Sequence, residues 1–161
     1  MTIGRAIKEY IRYLETSRGA AAHTVKNYRR YLENFKRWAD ESGIAKVNQF
    51  NGEDVIDYQL TLLDGGGAKR SRATVNYYLI ALRALLKYLI GRDLTVLSPE
   101  KIVLAKVPSR QINFLDSGAV QEVIDAAGSD STSGRRDKAV AAVLFSSGLR
   151  VSELLGLKRN Q

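Results

Sequence analysis

Cysteine is absent from these 161 residues, and histidine occurs once, as His23. Disulfides, thiolate metal sites and multi-histidine metal sites are therefore excluded. The lack of cysteine fits a cytoplasmic protein. Apolar runs are short. None approaches the roughly 18 residues that a membrane-spanning helix needs, and the opening MTIGRAIKEYIRYLE mixes charge into its apolar residues, unlike the h-region of a signal peptide. Proline is scarce too: Pro99 and Pro108 are the only two, and both lie between long helical patterns. What the chain does have is apolar content for a core, at 45%, and an excess of base. Its 25 Lys/Arg outweigh 17 Asp/Glu, for a net charge of +8 and a pI near 9.8. Residues 1–97 carry 16 Lys/Arg against 10 Asp/Glu, residues 98–161 carry 9 against 7, so the basic character sits mainly in the first part. Such a balance favours a polyanionic partner, because each neutralised phosphate releases counterions.

Periodicity predicts an all-α fold. One helix runs from about Ile3 to Ser17, with Ile3, Ile7, Tyr10, Ile11 and Leu14 on one face and Gly19 as its stop. A second spans about Ala22 to Glu41 on Val25, Tyr28, Leu32, Phe35 and Trp38/Ala39, with Gly43 after it. A third opens at Asn51, an N-cap with Glu53 and Asp54 in the first turn, and ends at Gly65-Gly66-Gly67. A fourth starts at Ser71 and carries Val75, Tyr78, Leu79, Leu82, Leu85, Leu86 and Leu89 up to Gly91. These four amphipathic helices enclose one core over residues 1–95. SPEKIVLAKVPSRQINFLD has no clean period and reads as an extended linker, residues 96–114. Residues 115–161 follow as the front of a second domain. There Asp116 caps a short helix, GSDSTSG forms a polar loop, a buried helix spans about Arg135 to Phe145, and Val151 to Leu157 begins another turn or two.

Charged positions outside the apolar stripes repeat at helical spacing. Lys26, Arg29, Arg30, Glu33 and Arg37 line up on the second helix; Arg72, Asn76, Arg83 and Lys87 do so on the fourth, just after Lys69 and Arg70. Facing one way, these stripes suit a DNA duplex, with Lys and Arg on phosphates and Asn on a base edge. Solvated helix faces show the same pattern; the charge contrast between the two parts tips the reading towards DNA. Of eight tyrosines, Tyr10, Tyr28, Tyr58, Tyr78 and Tyr88 fall on or near apolar stripes and read as core, whereas Tyr77 lies near the basic face and is placed to stack or touch phosphate. His23, at a helix start beside Thr24 and without an acidic or nucleophilic neighbour, reads as a cap-region or exposed side chain.

The closing stretch, SSGLRVSELLGLKRNQ, sets Arg150 after a Gly and Glu153 three residues later. A guanidinium fork there suits a phosphate, which it grips by two parallel charged hydrogen bonds, with Glu153 orienting it. By spacing alone, an i,i+3 surface ion pair is the simpler reading.

RRDKAVAAVLFSSGLRVSELLGL resembles the tyrosine recombinase (phage integrase) superfamily around its first catalytic arginine, with Ser147 where the family has Thr. INFLDSGAVQEVIDAA resembles the opening of the family's catalytic domain. AAHTVKNYRRYLENFKRWA and SRATVNYYLIALRALLKYL resemble two helices of its four-helix, SAM-like core-binding domain, with Ala21 in place of the usual capping Ser. The resemblance implies a clamp on double-stranded DNA, self-association on that DNA, and strand exchange through a phosphotyrosine intermediate without metal, cofactor or small-molecule substrate. Arg150 then matches the first phosphate-binding arginine and Glu153 the acidic residue supporting it. The family's hairpin Lys, H-x-x-R box and nucleophilic Tyr have no match here, so the expectation is an N-terminal fragment that binds DNA without cutting it. Its last helices, with Val140, Val143, Leu144, Phe145, Leu149, Leu154, Leu155 and Leu157, would then leave apolar area open. Two alternatives stand beside it: a naturally short DNA-binding regulator of recombination sites, and a helical protein-interaction module.

Overall fold

The computed structural model describes residues 1–65, 69–109, 113–128 and 130–158. Gly66 and Gly67 of the glycine stop, Arg110 to Ile112 of the linker stretch, Ser129 of the polar loop and the final residues 159–161 lie outside that description. The chain divides into two compact units, Met1–Pro108 and Ser109–Gln161. Among the described residues the secondary structure is helical, as the periodicities require.

In the first unit, α1 (Ile3–Thr16) begins where the Thr2 hydroxyl accepts the Arg5 N–H at 3.4 Å. It lies antiparallel to α2 (Ala22–Glu41): Glu15 meets Arg29 at one end, and Gly4 lies within van der Waals reach of the Lys36 stem at the other. α2 starts at Ala21 without a side-chain cap. The chain then leaves α2 through Gly43, at φ +74°, and Ile44, Val47 and Phe50 of the connector plug the core from below. That connector is tied to the N-terminus by Ile3 N–H to Ala45 O (3.1 Å) and Val47 N–H to Met1 O (3.2 Å). α3 (Gly52–Asp64) opens on a capping box, with Asn51 Oδ1 accepting from Glu53 N–H at 2.8 Å and Asp54 accepting from Asn51 N–H at 2.8 Å. α4 (Arg72–Ile90), capped by Ser71, packs on α1, α2 and α3 and is the hub of the core. Leu32, Leu82 and Leu89 there are wholly buried.

The segment read as a linker is not free over its first half. Pro99–Lys101 forms a 3-10 turn against α4, Ile102 is buried in the core, and Val96, Leu97 and Leu104 pack on it. The Asn76 amide then clasps the backbone of Ala105 twice: Nδ2 donates to its C=O at 2.8 Å and Oδ1 accepts from its N–H at 3.0 Å. Gln59 Nε2 adds a bond to Val103 O at 3.2 Å. Residues 96–105 are therefore a strap lying along α4, and the unit continues beyond residue 95. Asn76→Ala is expected to cost about 1–2 kcal/mol, because two hydrogen bonds are lost from a partly solvated site. Hydrogen exchange at residues 103–105 should speed up while α4 stays protected.

In the second unit, Asp116 caps α5 (Ser117–Ala126) through Ala119 N–H at 2.9 Å. α6 (Thr132–Ser147) begins three residues before Arg135, where the sequence suggested, because Ser131 caps Gly134 N–H at 3.0 Å and draws Thr132 to Gly134 out of the polar loop. Gly134 is buried: a Cβ there would stand 2.8 Å from Ala127 O, so only glycine lets α6 approach the end of α5 this closely. Lys138 on α6 reaches Asp125 on α5 at 2.8 Å and, with Gln121, holds that carboxyl below the usual aspartate range. The AVAAVLF run of α6, read as buried, is not: Val140, Val143 and Phe145 are exposed, because α5 covers one face alone. α7 (Val151–Leu154) follows Gly148, at φ +65°.

Candidate nucleic-acid interface

Three cations on α2 have no ion-pair partner among the described residues: Lys26, Arg30 and Arg37, all exposed on the side away from the core. Arg30 sits over the Tyr31 ring at 4.9 Å and donates to its hydroxyl at 3.2 Å. Tyr31 in turn lies almost parallel to Tyr77 of α4, at 9° with centroids 6.4 Å apart, and tilts against Tyr78 at 4.7 Å. Tyr77 remains 57% exposed. The two helices thus share one surface, floored by tyrosines and edged by Lys26, Arg30 and Arg37. Unpaired guanidinium and ammonium groups beside exposed aromatic faces suit phosphates and sugars. Tyr31 was not among the residues singled out from the sequence. A second Tyr at the boundary of the α2 stripe is the only signal that pointed to it.

The remaining candidates separate into free and engaged. Arg29 turns back to Glu15 of α1 at 3.1 Å. Arg70 closes the end of α3, its guanidinium donating to Leu62 O at 3.0 Å and packing over Tyr78 at 5.5 Å. Asn76 spends its amide on Ala105, so the expected base-edge reader instead anchors the strap. Arg72, with Asn76, borders a cavity of about 240 Å³ under that strap. Arg83 and Lys87 lie near Glu100 of the 3-10 turn, whose carboxyl is held low chiefly by the Ser98 hydroxyl, then by its own backbone N–H, and less by these two cations. The stripe of α4 read as one free basic face is therefore bordered by the strap along its length, and its free outer edge runs through Tyr77, Ile80 and Lys87. Lys69, just before α4, is exposed and unpaired among the described residues.

Burial raises the phenols of Tyr10 and Tyr58 well above the ordinary tyrosine range, and Tyr58 donates to Asn34 at 3.1 Å. In the second unit Arg150 stands at the start of α7 with its side chain 82% exposed. Glu153 reaches back twice, accepting from the Arg150 backbone N–H at 2.8 Å and from its guanidinium at 3.1 Å. The pair is thus a preset fork at a tight turn, with the other guanidinium donors directed to solvent. Ser147 bonds back to Val143 O and, at 3.4 Å, accepts from Leu149 N–H, which fixes the turn that carries Arg150.

The first unit is thus a small all-helical body of four helices around one core, with a basic, tyrosine-lined surface. Residues 7–93 match the family described as "Phage integrase, N-terminal SAM-like domain", and the chain belongs to that family. It is 30% identical to the tyrosine recombinase XerD of Mycobacterium tuberculosis over 165 aligned residues, covering 97% of this chain and 53% of that protein. It is 31% identical to the tyrosine recombinase XerC of Pseudomonas aeruginosa, covering 92% and 48%. The chain thus spans about half the length of the curated relatives it matches. Among solved structures, the N-terminal domain of a phage integrase/site-specific recombinase from Haloarcula marismortui superposes with a TM-score of 0.56 at 27% identity, covering 65% of this chain and 97% of that one.

Proposed function

We propose that this chain is the DNA-gripping part of a site-specific tyrosine recombinase, holding duplex DNA on the surface that α2 shares with the outer edge of α4. The observation that carries this reading is the set of cations without an ion-pair partner among the described residues, Lys26, Arg30 and Arg37, beside the Tyr31–Tyr77 pair, of which Tyr77 is exposed and Tyr31 half-buried, in a chain whose family and relatives are integrases and tyrosine recombinases. Lys69 and Lys87 extend the same surface at the two ends of α4. Arg29, Arg70 and Asn76 serve the surface by holding its elements in place. In this reading the intact recombinase self-associates on DNA and exchanges strands through a phosphotyrosine. Arg150 binds the scissile phosphate, stabilising charge on its non-bridging oxygens, and Glu153 orients it. The nucleophilic tyrosine and the rest of that site are supplied by sequence outside these residues, so the activity assigned to this chain is binding. A DNA-binding regulator of recombination sites would use the same surface.

The experiment is a fluorescence-anisotropy titration of a labelled duplex at several salt concentrations. Five phosphate contacts, from Lys26, Arg30, Arg37, Lys69 and Lys87, predict that log K falls against log[salt] with a slope of about −4 to −5. A slope near zero, or binding that is absent at low salt, overturns the reading and leaves the protein-interaction module.

A further inference from the structure

A cleft of about 900 Å³ opens between α1 and the C-terminal half of α4. Its size falls within the range of small-molecule sites, about 300–1,000 Å³, and the DNA reading uses only one of its residues, Lys87. The floor is aromatic. Tyr13 and Tyr88 lie 4.9 Å apart with their rings at 32°, and buried Tyr10 backs them, 5.2 Å from Tyr88. Among the described lining residues Ala84 is the one aliphatic side chain. The apolar part of the cleft is therefore ring surface, which receives a flat ring better than it receives aliphatic knobs.

The rim carries four cations, Arg12, Arg18, Lys87 and Arg92, against one carboxylate, Glu9. That carboxylate is already engaged, by Arg5 at 2.8 Å and Arg92 at 3.1 Å. Arg92 is held in place by this pair and by its bond to the Tyr88 hydroxyl at 2.7 Å. Arg12, Arg18 and Lys87 are exposed and make no ion pair among the described residues. The cleft thus sets a concentrated positive charge beside an aromatic face.

We infer that this cleft binds a nucleoside di- or triphosphate, its base stacked on the Tyr13–Tyr88 face and its phosphates held by Arg12, Arg18 and Lys87. Arginine forks and a lysine point charge suit adjacent phosphates. Stacking on tyrosine accepts any base, so the phosphates and not the base set the ligand class. A duplex keeps its bases stacked inside and would leave the tyrosine floor uncovered. A lone phosphate would leave most of the rim unused. The four rim cations neutralise the phosphates, so binding needs no divalent ion.

Isothermal titration of the whole chain with ATP, ADP, AMP, adenosine and pyrophosphate, in the presence of EDTA, tests the site. One ATP or ADP per chain is expected, with AMP about five-fold weaker or more and adenosine giving no measurable heat. Arg12→Glu with Arg18→Glu should weaken ATP binding about ten-fold or more. Lys8→Glu with Lys46→Glu makes the same change of charge at exposed positions outside the cleft, and should weaken it no more than about two-fold. Tyr13→Leu should weaken ATP about five-fold and leave pyrophosphate unchanged, a split that a general loss of structure does not produce. The inference is overturned by an absence of ATP and ADP binding, by equal losses in the two charge-reversed chains, or by an ATP affinity indifferent to Tyr13. A single-stranded oligonucleotide bound where ATP and ADP are not would assign the cleft to nucleic acid and overturns it too. Duplex affinity of the parent chain is measured in parallel. ATP binding without duplex binding overturns the DNA reading alone, and duplex binding without ATP binding overturns this inference alone.

Discussion

Replacing Lys26, Arg30 and Arg37 together by alanine is expected to weaken duplex binding about 100-fold near physiological salt and to flatten the salt slope by about 3. The expectation follows from how these side chains are held. None is committed to an ion pair among the described residues, so none has a stabilising duty that its loss would confuse with binding. Among the described residues Arg30 touches only Tyr31, by a 3.2 Å bond to its hydroxyl and by stacking over its ring, contacts that solvent can replace. The triple variant should therefore melt within a degree or two of the parent, and its affinity loss should apply equally to unrelated DNA sequences, because phosphates carry no sequence information. Arg29→Ala behaves differently: Arg29 is held by Glu15, so its removal should change affinity far less. Retention of full affinity by the triple variant would place the DNA elsewhere.

Leu82→Ala should be the most damaging single substitution to the first unit. Leu82 is fully buried at the middle of α4, the helix on which α1, α2, α3 and the 3-10 turn all converge. Truncation removes buried methyl groups and leaves a cavity that surrounding helices close only in part, at a cost of about 2–5 kcal/mol. For a unit of about this size that lowers Tm by roughly 10–25 °C. Thermal denaturation followed by circular dichroism reads the effect. A shift of only a few degrees would mean that the four helices do not share the single core described.

The contrast between these two predictions shows what the sequence makes legible. Where local chemistry decides, the reading and the structure coincide: α2 spans Ala22–Glu41 as its apolar stripe demands, Asn51 and Ser71 cap the helices they precede, and Ala21 leaves α2 uncapped. Misreadings arise where a distant residue decides. The strap at 96–105 has no period of its own, because Asn76 and Gln59, 29 and 44 residues away, hold it by side chain to backbone bonds. α6 starts early because Ser131 caps it and because Gly134 is needed for close approach to Ala127; in sequence both look like loop residues.

The surface that α2 shares with α4 is half legible in the sequence for the same reason. Spacing identified which charges leave the core but not which are already spoken for. Arg29, Arg70 and Asn76 have structural partners brought in by tertiary packing. Tyr31 became part of the surface because α2 meets α4 at Tyr77. Arg12 and Arg18 border a cleft between α1 and the far end of α4, which no local periodicity brings together. Arg150 and Glu153 were legible as a pair, since an i,i+3 contact at a helix start is local and the structure forms it.

The most direct test of the central claim is amide chemical-shift mapping of the labelled chain titrated with a short duplex at low salt. The account predicts perturbations concentrated on residues 26–37 of α2 and on the Tyr77–Lys87 edge of α4, with α3 from Glu53 to Asp64 unmoved. Perturbations centred on α3, or spread evenly with none at Tyr31 and Tyr77, would contradict it.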